Sequence, residues 1–481
     1  MDWGFDNTYA RELEGFYVPW KPALSPDPAL VALNDALARE LRLDPTYLRS
    51  PEGLGVLAGT VVPDGADPLA QAYSGHQFGQ LSPMLGDGRA VLLGEVTDVH
   101  GDRRDISFKG SGRTPFSRGG DGKAVIGPVL REYVVGEAMH ALGIPTTRAL
   151  AAVTTGEPVH RDGQMQPGAV LVRVAASHLR VGTFEMARHH GSVDHVRQLA
   201  DYAMARHFPA LMPGDYAGFL ASVVTRQAEL IAAWMSVGFI HGVMNSDNMT
   251  ISGETIDYGP CAFMDVFDDQ QVFSSIDVGG RYRYLNQPPI AAWNLARLAE
   301  ALAPLLAEDN ESLTRRIAAF EPEYRAAYLR RFRAKLGVAG EQHTDQALID
   351  DLLAMMKANR LDFTGTFRRL ARVLGGEKEA VREQILDLAA YDDWRSRWLD
   401  RLGSADREAT ATTMNQVNPI YIPRNHLVDA ALSAASTGDL APFEELVSVI
   451  GDPFTQRPGL QRYAESAPDG FTDRFVTYCG T

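Results

Sequence analysis

The chain has 481 residues, more than one hydrophobic core usually serves, so two or three packed units are expected. Hydrophobic content of 45% and charged content of 22% are those of a globular protein. A net charge of −15 excludes the broad positive field that non-specific binding to nucleic acid or to an anionic membrane requires.

The start, "MDWGFDNTYARELEGFYVPW", has no basic segment leading into an apolar run and predicts no secretory signal. No stretch approaches the roughly 20 apolar residues of a membrane helix. The most apolar one, residues 218–240, is broken by Arg226 and Glu229. Two cysteines in this length point to a reducing compartment, and the location expected is the cytoplasm. Residues 20–68 carry short helical patterns such as "DPALVALNDALARELRL". Then "LGDGR" makes a glycine turn, and "RAVLLGEVTDVHGDRRDISFKG" reads as two strands joined around His100-Gly101-Asp102. A polar loop follows, then a helix from Pro128 with Gly143 as its stop. Strands return in "TTRALAAVTTG" and "GAVLVRVA". Beyond about residue 183, helices are expected over 195–208, 216–238, 291–307, 311–336, 345–374 and 378–402. The division expected is an N-terminal extension 1–68, a sheet-rich lobe 69–175, a helical lobe 176–335, and a helical C-terminal region 336–481.

Several residues along this order suit nucleotide chemistry, in which cations, backbone donors and metal ligands position phosphates. Gly86, Gly88 and Arg89 lie in the glycine turn, where absent side chains let the main chain approach an anion. Lys109 ends the second hairpin strand about 20 residues later, as a phosphate-pairing lysine does in kinases. It needs a carboxylate from the next helix, and Glu132 and Glu137 are the candidates. At 100° per residue they lie about 140° apart, so only one can face Lys109. The apolar rhythm Leu130, Tyr133, Val134, Ala138, Ala141 favours Glu137. Asp121-Gly122, Arg173 inside the apolar strand "VLVRVA", and Arg180 in "SHLRVGTFE" complete the polyphosphate candidates. For each, a plain turn or a structural ion pair is the competing reading.

The segment "HGVMNSDNMTISGETIDYG", 241–259, supplies the metal chemistry. Asn248 and Asp257 are hard oxygen ligands suited to Mg²⁺ or Mn²⁺ shared with phosphates, and "MTISGETI" between them reads as a short hairpin. His-Gly, Asn and Asp-x-Gly in this order resemble a kinase catalytic loop, but Val243 stands where the kinase base would be. Asp247 lies beside the metal ligand, outside that position; it could serve a hydroxyl approaching a different phosphorus, or only orient Asn248.

With "YSGHQFGQLSPMLGDGRAVLLGE", "DISFKGSGRTPFSRGGDGKAV", "LVRVAASHLRVGTFE", "FSSIDVGGRYRYLNQP" and "NPIYIPRNH", the chain resembles the selenoprotein O family of kinase-fold protein adenylyltransferases over nearly its whole length. The resemblance implies an α+β, protein-kinase-like bilobal fold with an N-terminal extension and a helical C-terminal region. It implies a nucleotide bound in flipped orientation and transfer of AMP to Ser, Thr or Tyr hydroxyls of protein partners, redox-related proteins and the chain itself included, with pyrophosphate leaving. Gly86, Gly88, Arg89, Lys109, Asp121, Gly122, Arg173, Arg180 and Asp257 would then hold ATP, Asn248 and Asp257 the metal, and Asp247 would accept the proton. The family's lysine partner falls on Glu132, against the apolar rhythm. An ordinary γ-phosphate kinase and a non-catalytic ATP-binding scaffold are the competing functions. Val278-Gly279 replaces an expected His-Gln, and Gly127-Pro128 replaces usual polar residues. Cys479 stands where some members carry selenocysteine; a bond to Cys261 would clasp the tail beside the site, and two free thiols is the alternative.

Overall fold

The computed structural model describes residues 3–161 and 163–478. Its N-terminal part is one antiparallel sheet. The strands are β1 (Tyr17–Pro19), β2 (Ala29–Leu33), β3 (Leu69–Gln71), β6 (Ala90–Thr97), β7 (Arg103–Lys109), β9 (Arg148–Arg161) and β10 (Gln164–Ala175), in the order β1-β3-β6-β7-β10-β9-β2. The short β8 (Ala124–Val125) pairs with β10. A separate hairpin, β4 (Gly75–Gln77) with β5 (Gln80–Ser82), leaves the sheet between β3 and β6. Residues before 68 thus supply both edge strands of the sheet.

Alternation along the strands sorts the two faces. Ile106 and Phe108 on β7 and Val170, Val172 and Val174 on β10 face Leu37, Leu48 and Leu57 from the helices Asp35–Glu40, Pro45–Leu48 and Pro51–Leu57. The other face carries Ala169 and Leu171 against Leu130 and Val134 of the helix Ile126–Ala141. That helix is covered again from outside by Asn425–Ser436 and Ala441–Ile450, where Phe443 meets Tyr133 edge-on at 5.7 Å. It is therefore buried nearly all round.

The hairpin β6–β7 and the strands β9 and β10 form where the alternation predicts them. Expected helix 345–374 is instead two, Asp345–Ala358 and Phe363–Leu374, parted where Arg360 takes φ +51° and Asp362 caps the second. Expected helix 311–336 likewise divides into Asn310–Ala318 and Phe320–Lys335. The helical part is built around the long helix Tyr216–Val237, which ends on left-handed Gly238. Among the described residues, no helix is long and apolar enough to cross a membrane.

Candidate active site

Register places the first cations. Lys109 opposes Leu171, and Ser107 opposes Arg173, so Lys109, Arg173 and Asp105 all point to the face that packs on Ile126–Ala141. There Glu132 divides its carboxylate: Oε2 bonds the Lys109 ammonium, and Oε1 accepts from Arg173 Nη1 at 3.2 Å. Glu137, which the apolar rhythm favours, turns away and takes Arg148 in two bonds of 2.7 and 2.8 Å, plus Asn34. The rhythm misleads because the C-terminal helices bury the helix's second side, leaving no polar face for a 3.6-residue period to mark.

The loop 241–261 is closed at its base by a two-residue ladder, β11 (Phe239–Ile240) with β12 (Ala262–Phe263). Inside it, His241 Nε2 donates to the Ile256 carbonyl at 2.8 Å and its Nδ1 accepts from Val243 N–H, tying the two arms together. Val243 is buried. The stretch 249–256 does not pair as a ladder hairpin. Thr250 bridges outward to Arg180 and Thr255 to Thr146, both outside any strand. Asn248 spends its amide nitrogen on the Val243 carbonyl at 3.0 Å, which leaves the amide oxygen as its offered group. Asp257 adopts φ +68°, a left-handed conformation costly for a non-glycine residue, and that turn aims its Oδ1 at Lys109 Nζ, 2.6 Å away. Burial opposes ionisation of Asp257, but Lys109 and Arg89 outweigh it and hold the carboxyl well below its usual range.

Asp247 sits on the short 3₁₀ turn Ser246–Asn248, packed beneath Gly75 and beside Gly182. A side-chain carbon at Gly75 would come within 2.8 Å of Asp247 Cβ, so glycine there is a condition of the approach. Burial pushes the Asp247 carboxyl up to about 7, with Arg180 pulling the other way. Its Oδ1 is buried with no hydrogen-bond partner among the described residues. Such a carboxylate is a proton acceptor suited to neutral pH. Motif reading assigned no role to the residues that seat it. Ser246 Oγ donates to Glu185 Oε2 at 2.6 Å, Glu185 also bonds His76, and His76 N–H donates back to Ser246 Oγ at 2.6 Å. His76, Glu185 and Ser246 come from three separate segments, and nothing in one chain pairs residues 170 positions apart.

One cleft of about 500 Å³ gathers Gly86, Gly88, Arg89, Lys109, Asp121, Gly122, Arg173, Arg180, Val243, Asp247, Asn248 and Asp257. Gly86 and Gly122 both have positive φ, +70° and +68°, and both abut other groups, the Phe116 ring and the Gly112 carbonyl. Asp121 lies at the exposed edge, held by Arg161 through bonds of 2.6 and 2.9 Å that lower its pKa. Arg180 stacks 4.1 Å from the Tyr73 ring centre and donates to the backbone carbonyls of His178 and Asp247. Its Nη2 is buried without a hydrogen bond among the described residues and lies 4.0 Å from Asp87 Oδ1.

The oxygen set Asn248 and Asp257 fits a hard divalent cation. Among the described residues no cluster of three or more His, Cys, Asp or Glu forms a metal cage. A two-ligand site of this kind is completed by phosphate and water oxygens, as Mg²⁺ sites commonly are.

The profile described as "Protein adenylyltransferase SelO" matches residues 1–451. The chain belongs to the SelO family. A protein nucleotidyltransferase YdiU of Cereibacter sphaeroides is 57% identical, with all of both chains covered. Another YdiU, from Pseudarthrobacter chlorophenolicus, is 53% identical over 98% of this chain and 97% of its own. Among solved structures, the chain is similar to ROP2 from Toxoplasma gondii, a virulence factor with a protein-kinase fold and no enzymatic activity. That likeness is slight: TM-score 0.24 and 10% identity over 69% of this chain and 86% of the other. Within this SelO member, the lysine–glutamate pair lies at a sheet-rich N-terminal part and the Asn–Asp loop in the helical part that follows.

Cys261 is buried, its thiol donating to the Tyr258 carbonyl at 3.1 Å and pushed up to about 12 by burial. Cys479 lies outside the described residues. The tail nonetheless runs close by, since Thr477 Oγ1 donates to the Pro260 carbonyl at 2.5 Å. Val278 is 95% exposed on the loop beside the cleft, and Gly127 lies in the first turn of the Glu132 helix.

Proposed function

We propose that the chain transfers AMP from ATP to a hydroxyl of Ser, Thr or Tyr on protein acceptors and releases pyrophosphate. The observation that carries this reading is the place of Asp247, whose buried Oδ1 has no hydrogen-bond partner among the described residues. Val243 occupies the place of a kinase base, whereas Asp247 lines the cleft with Asn248 and Arg180. A base there serves a hydroxyl attacking the α-phosphorus of a nucleotide bound in flipped orientation.

In the reaction, the acceptor oxygen bonds to the α-phosphorus, the bond from that phosphorus to the bridging oxygen of the β-phosphate breaks, and the hydroxyl proton passes to Asp247. Lys109, Arg173 and Arg180 offset the charge that gathers on the departing pyrophosphate. Gly86, Gly88 and Gly122 keep side chains out of the phosphate path, with Arg89 and Asp121 at its edges. Mg²⁺ or Mn²⁺ on Asn248 and Asp257 would neutralise phosphate oxygens. Glu132 holds Lys109 and Arg173 in place and does not touch the nucleotide.

The test is transfer from ATP labelled at the α- or at the γ-phosphate to a generic protein acceptor. Label retained only from the α-position, with pyrophosphate released, is expected. Label retained only from the γ-position would make the chain a kinase, and ATP binding without either transfer would make it a scaffold.

A further inference from the structure

Behind Arg173 lies a buried chain of polar contacts that the proposed chemistry does not use. Arg173 Nε donates to His178 Nε2 at 3.2 Å. Asp105 Oδ2 accepts from both His178 N–H and His178 Nδ1, each at 2.9 Å. Asp105 Oδ1 is itself held by Arg206 Nη2 at 2.5 Å, and Arg206 Nη1 continues to Glu95 at 2.7 Å. Arg173, His178 and Asp105 are all nine-tenths or more buried.

The chemistry fixes the tautomer. A guanidinium does not lose its proton, so Arg173 Nε can only donate, and His178 Nε2 must be bare. The imidazole proton therefore sits on Nδ1, facing Asp105. Burial pushes His178 down to about 4, with Arg173 acting in the same direction, so this neutral form holds at physiological pH.

The consequence concerns Glu132. A guanidinium beside a carboxylate tends to take both oxygens in a two-bond fork. Were Arg173 free to do so, it would displace Lys109 from Oε2. Held at Nε by His178, the guanidinium is fixed in an orientation in which Nη1 alone bonds Glu132, at Oε1, and Lys109 keeps its half of the carboxylate. Arg173 itself lines the cleft.

We propose that His178 is a positioning residue for the nucleotide: as a hydrogen-bond acceptor seated on Asp105, it stops Arg173 from monopolising Glu132, so that Lys109 and Arg173 are both presented to phosphate. This rests on the reading that Arg173 and Lys109 meet the phosphates of ATP.

The test compares His178→Gln with His178→Met in the full-length protein. Both are unbranched and similar in reach, but only glutamine places an acceptor oxygen near Nε2. The backbone N–H bond to Asp105 survives in each. His178→Met is expected to raise Kd and KM for ATP about tenfold, with KM for the protein acceptor unchanged; His178→Gln stays within about threefold of wild type. Losses in Arg173→Ala and in the double variant Arg173→Ala/His178→Met are expected to be equal, because His178 acts through Arg173. An ATP affinity for His178→Met equal to wild type overturns the proposal, as do additive losses in the double variant. If the methionine variant fails to fold, the glutamine variant decides alone: a tenfold loss there overturns it. Should Arg173→Ala by itself bind ATP as well as wild type, the phosphate-binding reading fails, and that result is distinct from any behaviour of the His178 variants.

Discussion

Lys109 and Asp257 meet at 2.6 Å, 148 positions apart in sequence, and this contact joins the sheet to the loop 241–261. Through Lys109 the Asp257 carboxylate is coupled to Glu132 and Arg173, so four charges of alternating sign form one line beside the cleft.

Removing the charge of Glu132 should therefore act on the nucleotide, while the same change at Glu137 should not. Glu132→Gln is expected to weaken ATP binding tenfold or more, since Lys109 and Arg173 lose their common anchor. Glu137→Gln leaves Arg148 half-buried without its carboxylate and is expected to cost about 1–3 kcal/mol of stability with ATP affinity within about twofold. Calorimetric binding together with thermal unfolding separates the two; equal effects on ATP binding would undo the assignment.

Asp247→Asn keeps the shape beneath Gly75 and removes the proposed base. ATP affinity is expected to hold, because a negative charge near phosphate is lost, and transfer should fall about 10²–10⁴-fold. Labelled transfer at saturating ATP measures this, and undiminished transfer would assign the proton to another group.

Gly182 begins a helix against the Ser74 carbonyl, with a site for an added carbon 3.4 Å from Asp247 Cα. Gly182→Ala must push the β4–β5 side away from the loop. Turnover is expected to drop at least tenfold while the Lys109–Glu132 side, and hence ATP binding, changes little; single-turnover rates and binding read the two separately.

Asn248→Ala removes one of the two protein oxygens proposed for the cation. The metal concentration giving half-maximal transfer should rise about tenfold or more, with metal-free nucleotide binding unaffected. A metal titration at fixed ATP makes the measurement.

Lys335 is buried with its Nζ 4.1 Å from the Phe367 ring centre, and burial pushes its pKa down to about 7. Between about pH 7 and its unfolded value near 10.5, the unfolded chain binds a proton that the folded chain lacks. Stability contributed by this residue thus rises with pH across that window and is lowest below it. Lys335→Met should be more stable than wild type at and below neutral pH, by a few kcal/mol at most, and the gap should close toward pH 10. Urea unfolding of both proteins across this range checks the sign; a gap that widened with pH would refute it.

The sequence by itself determined the local elements and the identities of the charged groups. The hairpin β6–β7, the strands β9 and β10, and the order His241, Asn248, Asp257 were legible because period-2 alternation, glycine turns and motif spacing are local properties. Resemblance supplied Glu132 where periodicity pointed to Glu137. Only the tertiary structure decided which groups meet. Glu132 or Glu137 was settled by helices from residues 425–450, which erase the polar face of the Ile126–Ala141 helix. The break at Arg360 was hidden because helical propensity runs through it, while Asp362 answers to Arg424, buried 62 positions away. The residues that seat Asp247, with Gly75 and Gly182 packed on it and Glu185 and His76 holding Ser246, come from separate segments. A burial energy or an ion pair between distant segments leaves no periodic trace in either, so such choices are made only when the chain closes on itself.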